Sequence, residues 1–195
     1  RAARHRPVAG GAGGVRIESA KRVAAVRKAI AAPVIGIIKR DLTDSPIRIT
    51  PFLNDVAELA AAGADIIAVD ATFRSRPVSI AALLEHIGSF GALSMADCSN
   101  VAEALAAHRL GFDIVGTTLS GYVSGDIPHE PDLEFIRTIS AHIPRVMAEG
   151  RFNTPAQAAA AIEAGAWAVT VGTAITRTEV LTGWFADALK VEPSG

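Results

Sequence analysis

The 195-residue chain carries a formal net charge of -1 and is 50% hydrophobic with 5% aromatic residues, which favours one domain with a substantial core. A near-neutral balance without a long basic stretch argues against nucleic acid or an anionic membrane as the main partner and leaves small charged metabolites open. Apolar runs break well short of the ~18 residues of a membrane helix, the opening residues show no secretory pattern, and the single cysteine, Cys98, rules out an intrachain disulfide, so a cytoplasmic location is expected.

The first predicted strand lies near residues 13–18 and feeds a helix over 20–30. Ala32-Pro33 stops that helix, because proline cannot continue it and biases its predecessor toward extended backbone. The run Pro33-Val34-Ile35-Gly36-Ile37-Ile38 then reads as a strand covered on both faces, near 33–39, with Lys39 as its first charge. A helix over 52–62 ends at Gly63 and enters a strand near 65–71 that finishes on Asp70. The same joint recurs at Gly111 and Gly165, where glycine takes the left-handed conformation that closes a helix.

Next come a helix over 77–88, a strand near 92–97, a helix over 99–110 and a strand near 113–119. Asn100 with Glu103 forms a capping box at the second of these helices. A helix over 131–141 halts at Ile143-Pro144, and a strand near 144–149 follows. Thr154-Pro155-Ala156-Gln157 is a capping box with proline at the first helical position, opening a helix over 154–164. A strand near 168–173 and a helix over 178–189 complete the series.

Strict alternation of buried strands and amphipathic helices means a parallel sheet. A doubly wound nucleotide binder should carry a Gly-rich fingerprint after its first strand, and none is present. Polar residues instead end nearly every strand, which favours an α/β fold of the TIM (β/α)8 barrel type. Seven βα units are visible where the barrel wants eight, and the chain opens at Arg1-Ala2-Ala3-Arg4 without an initiator Met. The expectation is one phosphate-binding (β/α)8-barrel domain over residues 1–195, N-terminally incomplete, with its first strand missing from this sequence.

The strand ends supply Arg16, Lys39, Asp70, Asp97, Thr117 with Thr118, Glu149, and Gly172 with Thr173. Lys39 and Glu149 stand on nonadjacent strands from which they could face each other across the mouth. Glu149-Gly150-Arg151 and Gly172-Thr173-Ala174 place glycines where backbone N–H groups approach an anion, the usual phosphate position of such barrels. Arg177, just beyond, could bind phosphate or close over a substrate. Plainer readings stand beside these. Lys39 could be held in an ion pair with Asp41, Asp70 or Glu149, Asp70 could bind loop N–H groups, Arg151 could brace its loop, and Cys98 could be a small buried hydrophobe. His5, His86, His108, His129 and His142 share no metal-ligand spacing.

Six motifs, in order along the chain, resemble one family: Gly36-Ile37-Ile38-Lys39-Arg40-Asp41, Ile49-Thr50-Pro51, Met95-Ala96-Asp97-Cys98-Ser99, the run from Gly116 to Tyr122, the run from Ala148 to Pro155, and Val171-Gly172-Thr173-Ala174-Ile175-Thr176-Arg177. They are similar to the N-acetylmannosamine-6-phosphate 2-epimerases. The resemblance implies epimerisation at C2 of an N-acetylhexosamine 6-phosphate in amino-sugar and sialic acid breakdown, without cofactor or metal. It implies proton transfer by Lys39 and Glu149 and sugar contacts from Arg16, Asp97 and Arg177, beside the phosphate position read above from the strand ends at Gly150, Gly172 and Thr173. A glutamine on the family's first strand has no counterpart here. The implied partner is a small-molecule sugar phosphate rather than nucleic acid or membrane, and a homodimer is compatible with it. The alternatives are another phosphosugar isomerase or lyase, or a non-catalytic sugar-phosphate-binding barrel.

Overall fold

The computed structural model describes residues 6–123, 125 and 127–190. After a short helix α1 (Arg6–Ala9), strands and helices alternate: β1 (Val15–Glu18), α2 (Ala20–Arg27), β2 (Val34–Ile37), α3 (Leu53–Ala61), β3 (Ile66–Asp70), α4 (Ile80–Ser89), β4 (Leu93–Asp97), α5 (Val101–Leu110), β5 (Ile114–Gly116), α6 (Leu133–Ser140), β6 (Val146–Glu149), α7 (Pro155–Glu163) and β7 (Ala168–Thr170). Two helices, α8 (Thr173–Thr176) and α9 (Thr178–Ala188), end the series. Every predicted strand and helix is present. The strand expected to reach Thr173 stops at Thr170, because Gly172 opens α8.

The seven strands form one parallel sheet in chain order. Laid flat, β1 and β6 would be separated by five spacings, roughly 24 Å, yet Arg16 on β1 touches Glu149 on β6 at 3.0 Å. The sheet is therefore curled into a nearly closed barrel. Inward side chains Ile35, Ile37, Ile66, Met95, Ile114 and Met147 fill its interior. A larger layer, including Val23, Leu59, Val69, Leu83 and Ile136, seals the strands against the surrounding helices. This is the layering expected of strands buried on both faces.

Local chemistry sets the joints. Thr154 Oγ1 accepts the Gln157 N–H at 3.2 Å and Gln157 Oε1 accepts the Thr154 N–H at 3.1 Å, the full capping box. The second box is only half made. Asn100 accepts the Glu103 N–H, but the Glu103 carboxylate accepts from Ser99 and from the Phe73 N–H, tying α5 to the loop after β3.

The segment between β2 and α3 positions Lys39. β2 ends at Ile37, and β2 pairs with β3 only at Ile35↔Ile66 and Gly36↔Ile67. Beyond that the chain folds back, so that Lys39 forms an antiparallel bridge with Ile49, whose carbonyl also accepts the Asp70 N–H at 3.1 Å. Ile49 is thus wedged between the diverging ends of β2 and β3. Thr50 secures the wedge, donating its N–H to the Ile38 carbonyl at 2.7 Å and accepting the Ile38 N–H on Oγ1 at 3.3 Å. It does so at φ 48°, a costly conformation for a β-branched residue that persists only where its surroundings impose it.

Candidate active site

At the carboxyl ends of the strands, Arg16, Asp97 and Glu149 meet. Arg16 grips Asp97 with both terminal nitrogens, Nη1 to Oδ1 at 3.0 Å and Nη2 to Oδ2 at 2.5 Å, and Nη1 also donates to Glu149 Oε2 at 3.0 Å. The fork geometry of arginine suits such bidentate binding. Gly116 makes room for it, since a Cβ there would stand 2.6 Å from Met95 Cε and 3.2 Å from Asp97 Oδ1. Thr118 Oγ1 adds a 2.6 Å bond to Asp97 Oδ1.

Burial biases the charges. Desolvation acts against the Arg16 guanidinium, but Asp97 and then Glu149 more than offset it, and its pKa is raised. Glu149 is also raised, chiefly by burial and further by Asp97, while Arg16, Lys39 and the Thr118 hydroxyl pull it back. Its carboxyl therefore keeps a proton to higher pH than an ordinary glutamate.

Above this cluster lies a cavity of about 720 Å³. Its walls include Lys39, Thr118, Glu149, Gly150, Gly172 and Thr173, so both expected proton carriers and the expected phosphate groups share one space. Lys39 is exposed to it and, among the described residues, enters no ion pair: Asp41 binds Arg48, Asp70 binds Arg74 and Arg76, and Glu149 binds Arg16. Its neighbour Arg40 turns away to the buried Asp55. Gly150, at φ 110°, is followed by Arg151 at φ 63°, a pair of left-handed residues that bends the chain away from β6.

The remaining strand-end residues play other parts, although Asp70 and Arg151 also line the cavity. Arg16 and Asp97 lie beneath the cavity rather than in its lining. Arg177 is exposed, pairs with Glu179 at 2.9 Å and does not line the cavity. Asp70 accepts the Thr72 N–H at 3.0 Å, as a strand-end aspartate should, and Arg74 and Arg76 besides. Arg151 braces its loop by donating Nε to the Glu130 carbonyl at 2.7 Å and stacking over Tyr122. Cys98 is wholly buried, and burial pushes its thiol up, away from nucleophilic character. Lining residues that the sequence reading missed include Arg48, Arg74 and Trp184. Arg74 could have been suspected from its place just past a strand end, whereas nothing local marks Trp184 on α9.

A barrel whose strand ends bring a lysine, a glutamate of raised pKa and the Gly150 and Gly172 turns around one cavity has the site architecture of the β/α-barrel enzymes. The profile of the family described as "Putative N-acetylmannosamine-6-phosphate epimerase" matches residues 2–191. A protein of Actinobacillus pleuropneumoniae serotype 5b (strain L20) named "Putative N-acetylmannosamine-6-phosphate 2-epimerase" is 57% identical over 181 residues, 93% of this chain and 79% of its own length. A protein of Pasteurella multocida (strain Pm70) with the same name is 55% identical over 183 residues, 94% of this chain and 80% of its own. The solved N-acetylmannosamine-6-phosphate 2-epimerase from Clostridium perfringens superposes with a TM-score of 0.91 at 37% identity, covering 94% of this chain and 82% of its own. The chain belongs to the N-acetylmannosamine-6-phosphate 2-epimerase family, whose members are isomerases.

Proposed function

We propose that this barrel interconverts N-acetylmannosamine 6-phosphate and N-acetylglucosamine 6-phosphate by moving a proton at C2. One observation carries the reading: a lysine that enters no ion pair among the described residues and a glutamate whose pKa burial raises line the same cavity as Gly150, Gly172 and Thr173. Epimerisation at C2 needs a base on one face of the carbon and an acid on the other, once the opened sugar makes the C2 hydrogen acidic. Lys39 and Glu149 form that pair, and Glu149 suits the acid's part in at least one direction. Phosphate held at the β6 and β7 ends anchors the far end of the sugar and aligns C2 between them. Asp97 and Arg16 act from below by fixing Glu149, and meet the sugar only at its edge. Arg177 contacts the sugar only if its segment closes inward.

The chemistry requires neither metal nor organic cofactor, because proton transfer at an acidified carbon is within reach of the two side chains. We read the chain as one barrel domain acting in the cytoplasm, in keeping with the absence, among the described residues, of any helix long and apolar enough to cross a membrane. Exposed Phe185 on α9 and Leu189 at its C-cap favour a homodimer.

Turnover in deuterated water tests the proposal. The protein should interconvert the two epimers with deuterium entering at C2, and both Lys39→Ala and Glu149→Gln should lower the rate by about 10²- to 10⁴-fold, the usual worth of a general acid or base. Binding without exchange, or product with C2 unchanged in configuration, would refute it.

A further inference from the structure

The loop after β3 brings a further cation to the cavity. Arg74 lines the wall that Lys39 and Glu149 also line, and its guanidinium is fixed from behind: Nε donates to Thr72 Oγ1 at 2.9 Å and Nη2 to Asp70 Oδ2 at 2.7 Å. Those acceptors are held in turn. Asp70 and Thr72 are buried, Thr72 donates its N–H and its hydroxyl to Asp70 Oδ1 at 3.0 and 2.7 Å, and Arg76 clasps the Asp70 and Thr72 carbonyls at 2.9 and 2.7 Å. Arg74 Nη1 bonds to no described residue. The buried side-chain polar atom left without a partner among the described residues is Ser140 Oγ, so Nη1 is open to solvent. We propose that Arg74 is a catalytic residue whose open N–H groups bind the C1 oxygen of the ring-opened sugar and hold the negative charge that forms on it; the inference rests on the C2 proton transfer proposed above.

Position assigns that end of the sugar to Arg74. β3 stands four strands from β7, half-way round a barrel of eight, so a phosphate seated at Gly172 and Thr173 directs the far end of the substrate toward the β3 rim. Lys39 belongs to the same rim, because the Ile49 that bridges to it also accepts the Asp70 N–H. When the base takes the C2 proton, the C–H electron pair becomes a C1–C2 double bond and the carbonyl pair moves onto the C1 oxygen, which turns anionic. When a proton arrives on the opposite face of C2, the pairs return and the aldehyde is restored. No oxidant or reductant is involved. A donor already locked in place meets the new charge without reorganising, and a guanidinium binds the oxygen more strongly as that charge grows.

Bracing alone does not account for Arg74. Asp70 already has a counter-ion in Arg76, whose side chain is 12% exposed against 28% for Arg74, and Arg76 is the arginine that ties the loop's carbonyls. Glu103 secures the same loop through the Phe73 N–H. The other arginines of the cavity wall are placed differently. Arg48 pairs with Asp41 where both are exposed to water, and Arg151 donates to the Glu130 and Ser120 carbonyls next to the Gly150 turn.

The test joins kinetics to binding in the full chain. Arg74→Gln should lose about 10²- to 10³-fold in kcat, the usual worth of one donor to a developing oxyanion, with KM little changed. Two unreactive open-chain ligands, the 6-phosphates of N-acetylglucosaminate and N-acetylglucosaminitol, differ only in bearing a carboxylate or an alcohol at C1. The parent should prefer the carboxylate, and Arg74→Gln should cut that preference by about 10- to 100-fold, as loss of a hydrogen bond to a charged group does, while leaving the alcohol's affinity unchanged. Arg74→Lys keeps the charge but cannot span Thr72 and Asp70 at once, so it should regain part of the preference; it replaces the glutamine variant should that fail to fold. An unchanged kcat, a rise in KM alone, which marks uniform binding, or an equal weakening of both ligands, which marks a brace, would overturn the inference. Absence of C2 exchange in the parent would instead sink the proposed reaction, while the ligand pair would still decide whether Arg74 receives charge at C1.

Discussion

Replacing Arg16 by methionine tests whether one guanidinium holds two carboxylates in the folded barrel. The arginine side chain is 8% exposed, Asp97 0% and Glu149 19%. Methionine keeps much of the stem but removes the charge and three hydrogen bonds to carboxylate oxygens. Removing one partner of a buried ion pair costs about 3–5 kcal/mol, mostly as the penalty of the charge left behind. Glu149 retains some water, which places the expectation nearer the lower figure. For a chain of this size each kcal/mol moves the melting midpoint by about 2–4 °C, so Arg16→Met should melt roughly 6–15 °C below the parent at neutral pH. The penalty belongs to ionised carboxyls. It should therefore shrink as the pH falls and Glu149, whose pKa burial raises, takes up its proton. Calorimetry at about pH 8 and about pH 5 reads both quantities. A loss of equal size at the two values, or one within the ±0.5 kcal/mol of an ordinary surface change, would refute the shared-guanidinium argument.

Glu149→Gln should behave in the opposite sense. The folded pKa of Glu149 is raised, so its contribution to stability is complete below its unfolded value and is lost as the pH rises through the folded one. A neutral amide escapes that loss, and Arg16 keeps Asp97. At neutral pH the variant should thus melt no lower than the parent while losing turnover; a midpoint that drops further as the pH rises would contradict the burial argument. Cys98 should resist iodoacetamide until the protein is unfolded, because it is buried with its thiol pushed up, and Cys98→Ala should retain activity. Rapid labelling of the folded protein would show that β4 is open to solvent.

The sequence made the order of elements plain because each joint has a local cause. Gly111 caps α5 in the left-handed region and Pro155 opens α7, and such signals need no knowledge of distant residues. The ring of strand-end groups was legible for the same reason. What Arg16, Asp97 and Glu149 do to one another was not, since their meeting depends on barrel closure, the first two standing 81 positions apart in sequence and the outer pair 133. The end of β2 was overrun for a similar reason: Ile38 and Lys39 look like strand continuation, but Ile49 arrives from the following loop to take the place of β3. Glu103 has the spacing of a capping residue and is drawn off by Ser99 and Phe73, a competition that only tertiary structure decides.

The Ile49 wedge separates the barrel into two mechanical regions. Below it, β2 and β3 share a direct ladder whose residues are buried. Above it, the two strands are joined only through a borrowed backbone unit, itself kept in place by the strained Thr50. Release of that unit would free the Lys39 end of the mouth without breaking a rung of the sheet beneath. Opening at the rim should therefore cost less than global unfolding, because it leaves the ladder beneath intact.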